Sequence, residues 1–309
     1  MKQVLIFVNP IAGRGRGRTV SERIERRLSG DGYDVRILSK PAHELSDAEL
    51  QGDPAGARTF AITIGGDGTL RAAAERLVQF AASNPARMPP ILVVPLGTAN
   101  LMSRHLQLRW GDQTLEEEIA ATLATGRVLS IDAARANDRL FLLMAGIGLD
   151  ASVVHELDRV RKGPIDVTSY TLPLISALRQ YDFPPLTIEV DGRRVVDAMP
   201  SLAFVGNVAE YGTGFPILTR AKSDDRLLDI CVLPCRTPVQ LMRLAMLTTT
   251  GDHIYEEDVV YTKGASVHVE SPQPVPVQID GEASGHTPLK IDLLPSGVPF
   301  IVPAAKSHE

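Results

Sequence analysis

Apolar runs alternate with glycine-rich polar loops and helix-forming stretches over residues 1–130. The pattern occurs three times, with predicted strands at residues 4–8, 60–64 and 91–94 and predicted helices at residues 20–28, 70–78 and 101–106. Strands that alternate with helices in this way form parallel sheets covered by helices. The first part of the chain is therefore predicted to be an α/β domain with a helix-covered parallel sheet.

Short strand-like runs dominate the rest of the chain, with predicted strands at residues 141–144, 186–190, 201–205, 228–233, 267–269, 275–279 and 289–293. Asp191-Gly192 and Asp280-Gly281 lie between alternating segments, a pattern typical of tight hairpin turns. Helical stretches interrupt the strands near residues 151–160 and 168–178. The series predicts a β-rich sandwich of two packed antiparallel sheets.

This change of pattern predicts two domains and a short tail. We expect the α/β domain to span residues 1–130 and the β-sandwich domain to span residues 131–298. The tail, residues 299–309, begins with apolar residues and is predicted to return to the first domain. A chain of 309 residues is long enough to give each domain a full core.

Composition and charge exclude several classes of protein. The net charge of −5 argues against a general nucleic-acid binder. The chain has no apolar run of about 18 residues, so no transmembrane segment is predicted, and the apolar run at residues 4–8 is too short for a signal peptide. Cys231 and Cys235 do not suffice for a disulfide scaffold or a zinc site. We expect a cytoplasmic protein that can bind peripherally at the inner membrane surface.

Glycine-rich loops follow the predicted strands, at the sheet edge where parallel sheets bind ligands. Residues 65–69 read Gly-Gly-Asp-Gly-Thr, and the N–H groups at the start of the next helix favour phosphate. Asp67 beside phosphates indicates Mg²⁺-nucleotide chemistry, although it can also cap the following helix. This loop alone is equally well explained as a tight turn. The sister loops at residues 9–13 and 95–100 favour a nucleotide site.

Arg14, Arg16 and Arg18 alternate with glycines after the first predicted strand. Such a segment is most often a solvated loop. It can also contact ATP phosphates or an anionic membrane surface, and the sequence leaves both interpretations open.

Six motifs occur in the order found in the diacylglycerol kinase catalytic-domain family, which includes bacterial lipid kinases and sphingosine kinases. They are residues 9–13 (Asn-Pro-Ile-Ala-Gly), 65–69, 95–100 (Pro-Leu-Gly-Thr-Ala-Asn), 146–150 (Gly-Ile-Gly-Leu-Asp), 224–229 (Asp-Asp-Arg-Leu-Leu-Asp) and 280–282 (Asp-Gly-Glu). This resemblance implies an α/β ATP-binding domain followed by a β-sandwich lipid-binding domain. It also implies an ATP- and Mg²⁺-dependent kinase that phosphorylates a hydroxyl of a diacylglycerol-like or sphingoid lipid at a membrane surface.

The resemblance implies three sets of site residues. Glu282 corresponds to the proton acceptor and Asp67 to a metal-linked acid. A structural Mg²⁺ is implied at Lys222, Asp225 and Leu227, through one carboxylate and two backbone carbonyls. The implied nucleotide contacts are Asn9, Gly13, Ser39, Gly65, Gly66, Asp67, Gly68, Thr69, Gly97 and Thr98.

The residues alone allow simpler explanations for three of these assignments. From spacing, residues 280–282 are better explained as a hairpin turn, and residues 222–227 are also compatible with an ordinary acidic turn before a strand. Ser39, which stands where a Thr is usual in the family, is also explained as a surface loop serine.

The chain departs from the family pattern at four places. Ala12 replaces a usual Ser, and Arg226 replaces a usual Gly. Arg71-Ala72 stand where the family has Asn-Glu, and Leu101 stands where Asp is common. Ala72 and Leu101 thus leave two fewer carboxylates near the phosphates than the family pattern has, in the acidic network that holds metal.

Two other functions are compatible with the sequence. NAD kinases share the loop at residues 65–69, although residues 95–100 and the late Asp-Gly-Glu favour a lipid kinase. A non-catalytic nucleotide- or lipid-binding protein is suggested by the absence of carboxylates at Ala72 and Leu101. The oligomeric state is open, and a homodimer is one alternative.

Overall fold

The computed structural model describes residues 2–51, 59–160, 181–212 and 214–304. The chain divides into two units, one formed by Met1–Ile131 with Ser296–Glu309 and the other by Asp132–Pro295. The helix predicted at residues 168–178 lies outside the described residues. Within the described ranges, no helix is both long enough and apolar enough to cross a bilayer.

Strands and helices alternate along the first unit. Its strands are β1 (Gln3–Val8), β2 (Asp34–Leu38), β3 (Thr59–Gly65), β4 (Ile91–Pro95), β5 (Arg127–Ile131) and, from the end of the chain, β17 (Val298–Val302). Its helices are α1 (Ala12–Gly30), α2 (Asp47–Leu50), α3 (Asp67–Phe80), α4 (Leu101–His105) and α5 (Leu115–Thr125), with 3₁₀ turns at Ala42–Glu44 and Pro85–Arg87.

One sheet with the strand order β2-β1-β3-β4-β17-β5 forms the centre of this unit. The strands from β2 to β17 run parallel to their neighbours, whereas β5 is antiparallel to β17. The C-terminal strand β17 therefore joins the sheet between β4 and β5. The predicted α/β class of this unit is confirmed.

Strand β1 is buried on both faces, which explains its continuous apolar sequence. Val4 and Ile6 share a core with Ile24 of α1 and with residues of α5. Leu5, on the opposite face of the strand, is also fully buried. Helical coverage of both faces is typical of a parallel sheet.

The second unit consists mainly of strands. They are β6 (Ala134–Ala136), β7 (Arg139–Phe141), β8 (Met144–Ile147), β9 (Pro185–Val190), β10 (Arg193–Gly206), β11 (Leu228–Pro234), β12 (Val260–Gly264), β13 (Ser266–Glu270), β14 (Pro276–Ile279), β15 (Glu282–His286) and β16 (Leu289–Leu293). Its described helices are α6 (Leu149–Val160) and α7 (Pro238–Thr250), with a 3₁₀ turn at Asp252–Tyr255.

The long strand β10 connects two antiparallel halves of this unit. Its first part pairs with β9, and its last part, residues 201–206, pairs with β8 and β11. Between them the register with β9 shifts twice, and Ala198 adopts a φ of 43°. Bulges of this kind bend a strand, so that one strand can belong to both halves.

Apolar side chains from both halves form a single core, which includes Val190 and Val267 from one half and Ile147, Ile230 and Val277 from the other. Shared burial of two inner faces is the arrangement of a β-sandwich. The predicted β-rich sandwich is confirmed.

Two details of the sequence prediction were wrong in this unit. The strand predicted at residues 141–144 is interrupted after Phe141, because the next backbone N–H groups bond to the Asp280 side chain rather than to a neighbouring strand. Helix α7 was not predicted, although Thr237 caps its first turn by accepting a hydrogen bond from the Gln240 N–H at 3.2 Å.

Candidate active site

Three loops of the first unit meet at the carboxyl edge of its sheet. The register pairs Val8 of β1 with Ile64 of β3, and Gly65 of β3 with Pro95 of β4, so these strands end at one level. The Asn9 N–H continues the ladder by donating to the Ile64 carbonyl at 3.1 Å. The structure therefore brings the first residues of the three predicted phosphate loops together.

The loops after β3 and β4 approach each other through their glycines. A Cβ atom on Gly66 would lie 3.2 Å from the Gly97 Cα atom, and a Cβ atom on Gly65 would lie 2.5 Å from the Thr69 hydroxyl. A side chain at Gly66 would push against the backbone of the other loop, whereas one at Gly65 would collide with the Thr69 side chain of its own loop. Gly66 also precedes the 14-residue helix α3 and offers no side chain to cap the first N–H groups of that helix. Such N–H groups are suited to bind phosphate oxygens.

Asn100 holds the loop after β4 in a tight turn. Its side-chain oxygen accepts a hydrogen bond from the Gly97 N–H at 2.9 Å, and its amide nitrogen donates to the Gly97 carbonyl at 2.8 Å. Its backbone is left-handed, with a φ of 49°, a conformation that asparagine tolerates better than most residues. Gly97 and Thr98 are exposed at the tip of this turn. The sequence motif included Asn100, but its structural role was not predicted.

Asp67 links the loop after β3 to helix α4. Its two carboxylate oxygens accept hydrogen bonds from the backbone N–H groups of Leu101 at 2.9 Å and Met102 at 3.2 Å. Burial raises the pKa of this carboxyl, although the hydrogen bonds from Leu101 and Met102 oppose the shift. Asp67 thus caps α4, whereas the alternative weighed from the sequence was a cap on the helix that follows it, α3.

Gly13 lies in the loop after β1 and faces the loop after β4. A Cβ atom on Gly13 would lie 3.3 Å from the Leu96 Cβ atom. Gly13, Arg14 and Gly15 all have positive φ values, so the regular part of α1 begins only after them. Arg14 is exposed, and the side chain of Arg16 donates to the Gly13 carbonyl at 3.2 Å.

Ser39 lies one residue beyond β2, the edge strand. Its neighbour Leu38 pairs with Phe7 of β1, which puts Ser39 at the same edge of the sheet as Asn9. The side chain of Ser39 is exposed. Its assignment as a nucleotide contact stays a prediction.

The departure at Arg71 has a structural explanation. Arg71 lies on α3, is 7% exposed, and forms an ion pair with Glu75 one turn later at 3.1 Å. An i,i+4 pair of this kind supports the helix. The side chain at position 71 is therefore part of the packing of α3.

In the second unit, Glu282 begins β15 directly after a two-residue turn. Asp280 and Gly281 have φ values of 49° and 79°, and Ile279 pairs with Glu282 across the hairpin. This is the hairpin that the spacing predicted. The Asp280 carboxylate accepts hydrogen bonds from three consecutive backbone N–H groups, at 2.9–3.1 Å, from residues 142–144. The turn is therefore fixed to the segment between β7 and β8.

Arg139 of β7 contacts both the side chain and the neighbouring backbone of Glu282. Its Nη2 atom forms an ion pair with the Glu282 carboxylate, and its Nη1 atom donates to the Ala283 carbonyl at 2.9 Å. The Glu282 side chain is 38% exposed, so the ion pair fixes it without burying it. Sequence reasoning missed Arg139 because its partner lies more than 140 residues away.

Asp150 lies in the first turn of α6, beside Gln278 of β14. The Gln278 amide nitrogen lies 3.4 Å from the Asp150 Oδ2 atom. Burial raises the pKa of Asp150 to about 6, against hydrogen bonds from the Ala151 N–H and from Gln278. A carboxyl with such a pKa changes its charge near pH 6. The sequence alone allowed two interpretations of Asp150, as a residue that faces a cleft or as a cap of the helix from Ala151.

The implied structural metal site contains an ion pair. The Asp225 carboxylate accepts the Leu227 N–H at 3.2 Å, and its other oxygen lies 2.8 Å from the Lys263 ammonium. Lys263 also lies 3.0 Å from Asp229, which is fully buried. Burial alone would lower the pKa of Lys263. The hydrogen bonds to Asp225 and Asp229 outweigh the effect of burial, so the pKa of Lys263 is raised. The positive charge near Asp225 is thus supplied by a side chain.

The Asp225 carboxylate is engaged by protein donors as it stands. Among the described residues, no group of three or more His, Cys, Asp or Glu side chains is arranged to hold a metal ion. The backbone carbonyls of Lys222 and Leu227 do not depend on side-chain identity, but the Asp225 oxygens already have partners. The assignment of Mg²⁺ to Lys222, Asp225 and Leu227 stays a prediction, and the proposed reaction does not depend on it.

Arg226, which replaces a usual glycine, keeps a left-handed backbone with a φ of 62°. Its N–H donates to Asp132 Oδ2 at 2.7 Å, and its guanidinium donates to Asp132 Oδ1 at 2.6 Å. The Asp132 side chain is buried. The arginine thus compensates a buried charge at a position where its backbone conformation is unfavourable.

Comparisons with known proteins agree with this arrangement. The family model described as the diacylglycerol kinase catalytic domain matches residues 3–136. The model described as the YegS C-terminal NAD kinase beta sandwich-like domain matches residues 144–302.

Several relatives are similar over almost their whole length. The diacylglycerol kinase of Mycobacterium tuberculosis is 27% identical over 97% of this chain and 95% of that protein. That of Bacillus subtilis is 24% identical over 100% of this chain and 99% of that protein. A crystal structure of a diacylglycerol kinase from Bacillus anthracis has a TM-score of 0.71 and 28% identity, and covers 98% of each chain. On the motifs, the fold and these matches, this chain belongs to the diacylglycerol kinase catalytic-domain family.

Proposed function

We propose that the chain is an ATP-dependent kinase that transfers the γ-phosphate to a hydroxyl of a diacylglycerol-like or sphingoid lipid. The observation that carries this proposal is the close approach of Gly66 and Gly97, which leaves backbone of two loops accessible at the start of α3. Family membership supports a kinase with a lipid substrate. The lipid would be taken from a membrane surface.

In this proposal the first unit binds ATP. Backbone N–H groups at residues 65–69 bind the phosphates, Gly97 allows the loop after β4 to approach them, and the Thr69 and Thr98 hydroxyls add hydrogen bonds. Asn9, Gly13 and Ser39 complete the nucleotide contacts at the ends of β1 and β2. Mg²⁺ arrives as the Mg²⁺ complex of ATP, which is the substrate.

Glu282 is the proposed proton acceptor for the lipid hydroxyl. A carboxylate is a far weaker base than an alkoxide, so it cannot deprotonate an alcohol beforehand. In a loose phosphoryl-transfer transition state the proton leaves late, so Glu282 mainly orients the hydroxyl and then accepts its proton. The ion pair with Arg139 supports this role because it fixes the carboxylate direction.

A kinase assay with radiolabelled ATP and extracted membrane lipids tests the proposal, with the labelled product identified by mass. Glu282→Gln should abolish transfer and leave ATP binding unchanged. Glu270→Gln is the matched control, because Glu270 is an exposed glutamate on β13 of the same unit. Both variants should keep the wild-type circular dichroism spectrum.

Three outcomes would contradict the proposal. Transfer to NAD but to no lipid would indicate a NAD kinase. Binding of Mg²⁺-ATP without turnover across the lipid panel would indicate a non-catalytic binding protein. Full activity of Glu282→Gln would remove Glu282 from the mechanism.

A further inference from the structure

Gln278 makes two hydrogen bonds that connect α6 to the turn before Glu282. Its side-chain oxygen accepts the Gly281 N–H at 2.8 Å, and its amide nitrogen donates to Asp150 at 3.4 Å. Gln278 is fully buried on β14. A buried amide with two partners of this kind has little freedom to rotate.

The orientation of the Gln278 amide follows from its two partners. A backbone N–H can only donate, so the Gln278 oxygen must face Gly281. An ionised carboxylate can only accept, so the Gln278 nitrogen must face Asp150. The flipped amide would lose both hydrogen bonds.

The opposite strand leaves room for this pair. Gly146 of β8 pairs with Gln278, and a Cβ atom on Gly146 would overlap the Asp150 carboxylate and approach the Gln278 nitrogen to 2.6 Å. The absence of a side chain at position 146 is thus what allows Asp150 to reach Gln278.

We propose that Gln278, oriented by Asp150, is a positioning residue for Glu282. This inference rests on the proposed function, in which Glu282 accepts the proton of the lipid hydroxyl. Asp280 anchors the turn from one side through residues 142–144, and Gln278 holds Gly281 from the other. Glu282 is the next residue, so a shift of Gly281 moves the carboxylate relative to the substrate hydroxyl.

Exchanging the two polar groups tests the connection. Gln278→Glu places a carboxylate against the Asp150 carboxylate, and the two repel each other. This variant should lower kcat by about tenfold or more, with the KM for ATP unchanged. Asp150→Asn keeps an acceptor for Gln278 and should stay within about threefold of wild type. The double variant combines Gln278→Glu with Asp150→Asn. In it the new amide at position 150 donates to the new carboxylate at position 278, which still accepts the Gly281 N–H. Its kcat should therefore recover to within about threefold of wild type.

Gln278→Met provides a second variant in case the paired carboxylates prevent folding. It removes both hydrogen bonds without adding charge and should also lower kcat, but adding Asp150→Asn should not restore it. Thermal unfolding of every variant shows whether a loss of activity follows a loss of fold. A purely structural role would lower the melting temperature of Gln278→Glu and restore it in the exchanged pair, with kcat per folded molecule unchanged in both.

The results separate this inference from the proposed function. If the wild type is active but Gln278→Glu and Gln278→Met keep its kcat, the positioning role is wrong. Failure of the double variant to recover also contradicts it. If the wild-type protein phosphorylates no lipid, the proposed function is wrong, and this inference falls with it.

Discussion

Gly97 lies so close to Gly66 that a Cβ atom on Gly97 would come within 2.5 Å of the Gly66 Cα atom. The contact joins the loops after β3 and β4 through their backbones. Neither loop can relieve an added methyl group by rotating a side chain. The close approach of these loops at the carboxyl edge of the sheet thus depends on two glycines that are 31 residues apart.

Gly97→Ala should therefore weaken nucleotide binding. We expect the Kd for Mg²⁺-ATP to rise by about tenfold or more, because the loops must separate by about 1 Å to reach ordinary contact. Isothermal titration calorimetry measures the change. Gly30→Ala is the control, since a Cβ atom there meets nothing within 4 Å, and its Kd should equal that of wild type. Equal affinities for both variants would contradict the assignment of this contact to the nucleotide site.

Asp67→Asn should abolish phosphate transfer and also lower the free energy of unfolding by about 1–3 kcal/mol. An asparagine offers one oxygen to two N–H donors, so either Leu101 or Met102 loses its acceptor. Urea unfolding measures the stability, and the radiolabelled assay measures transfer.

Nucleotide titrations with and without Mg²⁺ then distinguish the two roles of Asp67. If Asp67 only positions α4, affinities for ADP and Mg²⁺-ADP should fall equally in Asp67→Asn. If it is linked to metal, only the affinity for Mg²⁺-ADP should fall. A variant with wild-type transfer would exclude Asp67 from the site.

Local sequence patterns predicted the parts of this molecule that depend on local physics. Buried parallel strands read as continuous apolar runs, as in β1 and β3, and the glycines after β3 and β4 indicated close backbone approach. The turn at Asp280-Gly281 was predictable because both residues tolerate positive φ.

Partners that are distant in the sequence were not predictable. The type of residue at Asp67 suggested a cap, but its partners lie 34 and 35 residues away on α4. The three N–H groups that bind Asp280 lie more than 130 residues before it, and they interrupt a segment whose composition favours a strand. Such contacts are set by tertiary packing, which overrides local propensity.

Acidification should stabilise the wild-type protein relative to Asp150→Asn. The pKa of Asp150 is raised to about 6 in the folded state, above the ordinary value of ~3.9, so the folded protein binds this proton more tightly. The resulting stabilisation is fully present below about pH 4 and is lost as the pH rises through about 6. Its size is about 3 kcal/mol at most.

Urea unfolding of both proteins between pH 4 and pH 8 measures this effect. The difference in unfolding free energy, wild type minus Asp150→Asn, should decrease as the pH rises to about 6 and then stay constant. A difference that does not vary with pH would show that Asp150 is not perturbed in this way.

Arg226 should stabilise the fold through its side chain, whereas its left-handed backbone should destabilise the fold. Arg226→Ala removes the guanidinium from buried Asp132 but keeps the left-handed backbone, and should lower the free energy of unfolding by about 1–3 kcal/mol. Arg226→Gly also removes the guanidinium, but glycine adopts a φ of 62° without steric cost. It should therefore be more stable than Arg226→Ala by about 1 kcal/mol.

Arg14 offers a matched control for the two contributions of Arg226, because it is exposed and has a φ of 61°. Arg14→Ala should stay within about 0.5 kcal/mol of wild type, since a surface side chain is removed. The free energy of unfolding of Arg14→Gly should exceed that of Arg14→Ala by the same ~1 kcal/mol that is expected between the glycine and alanine variants at position 226. Urea unfolding of the four variants separates backbone strain from the ion pair. If Arg226→Ala is as stable as Arg14→Ala, the pair with Asp132 contributes nothing, and the replacement of the family glycine has no stabilising role.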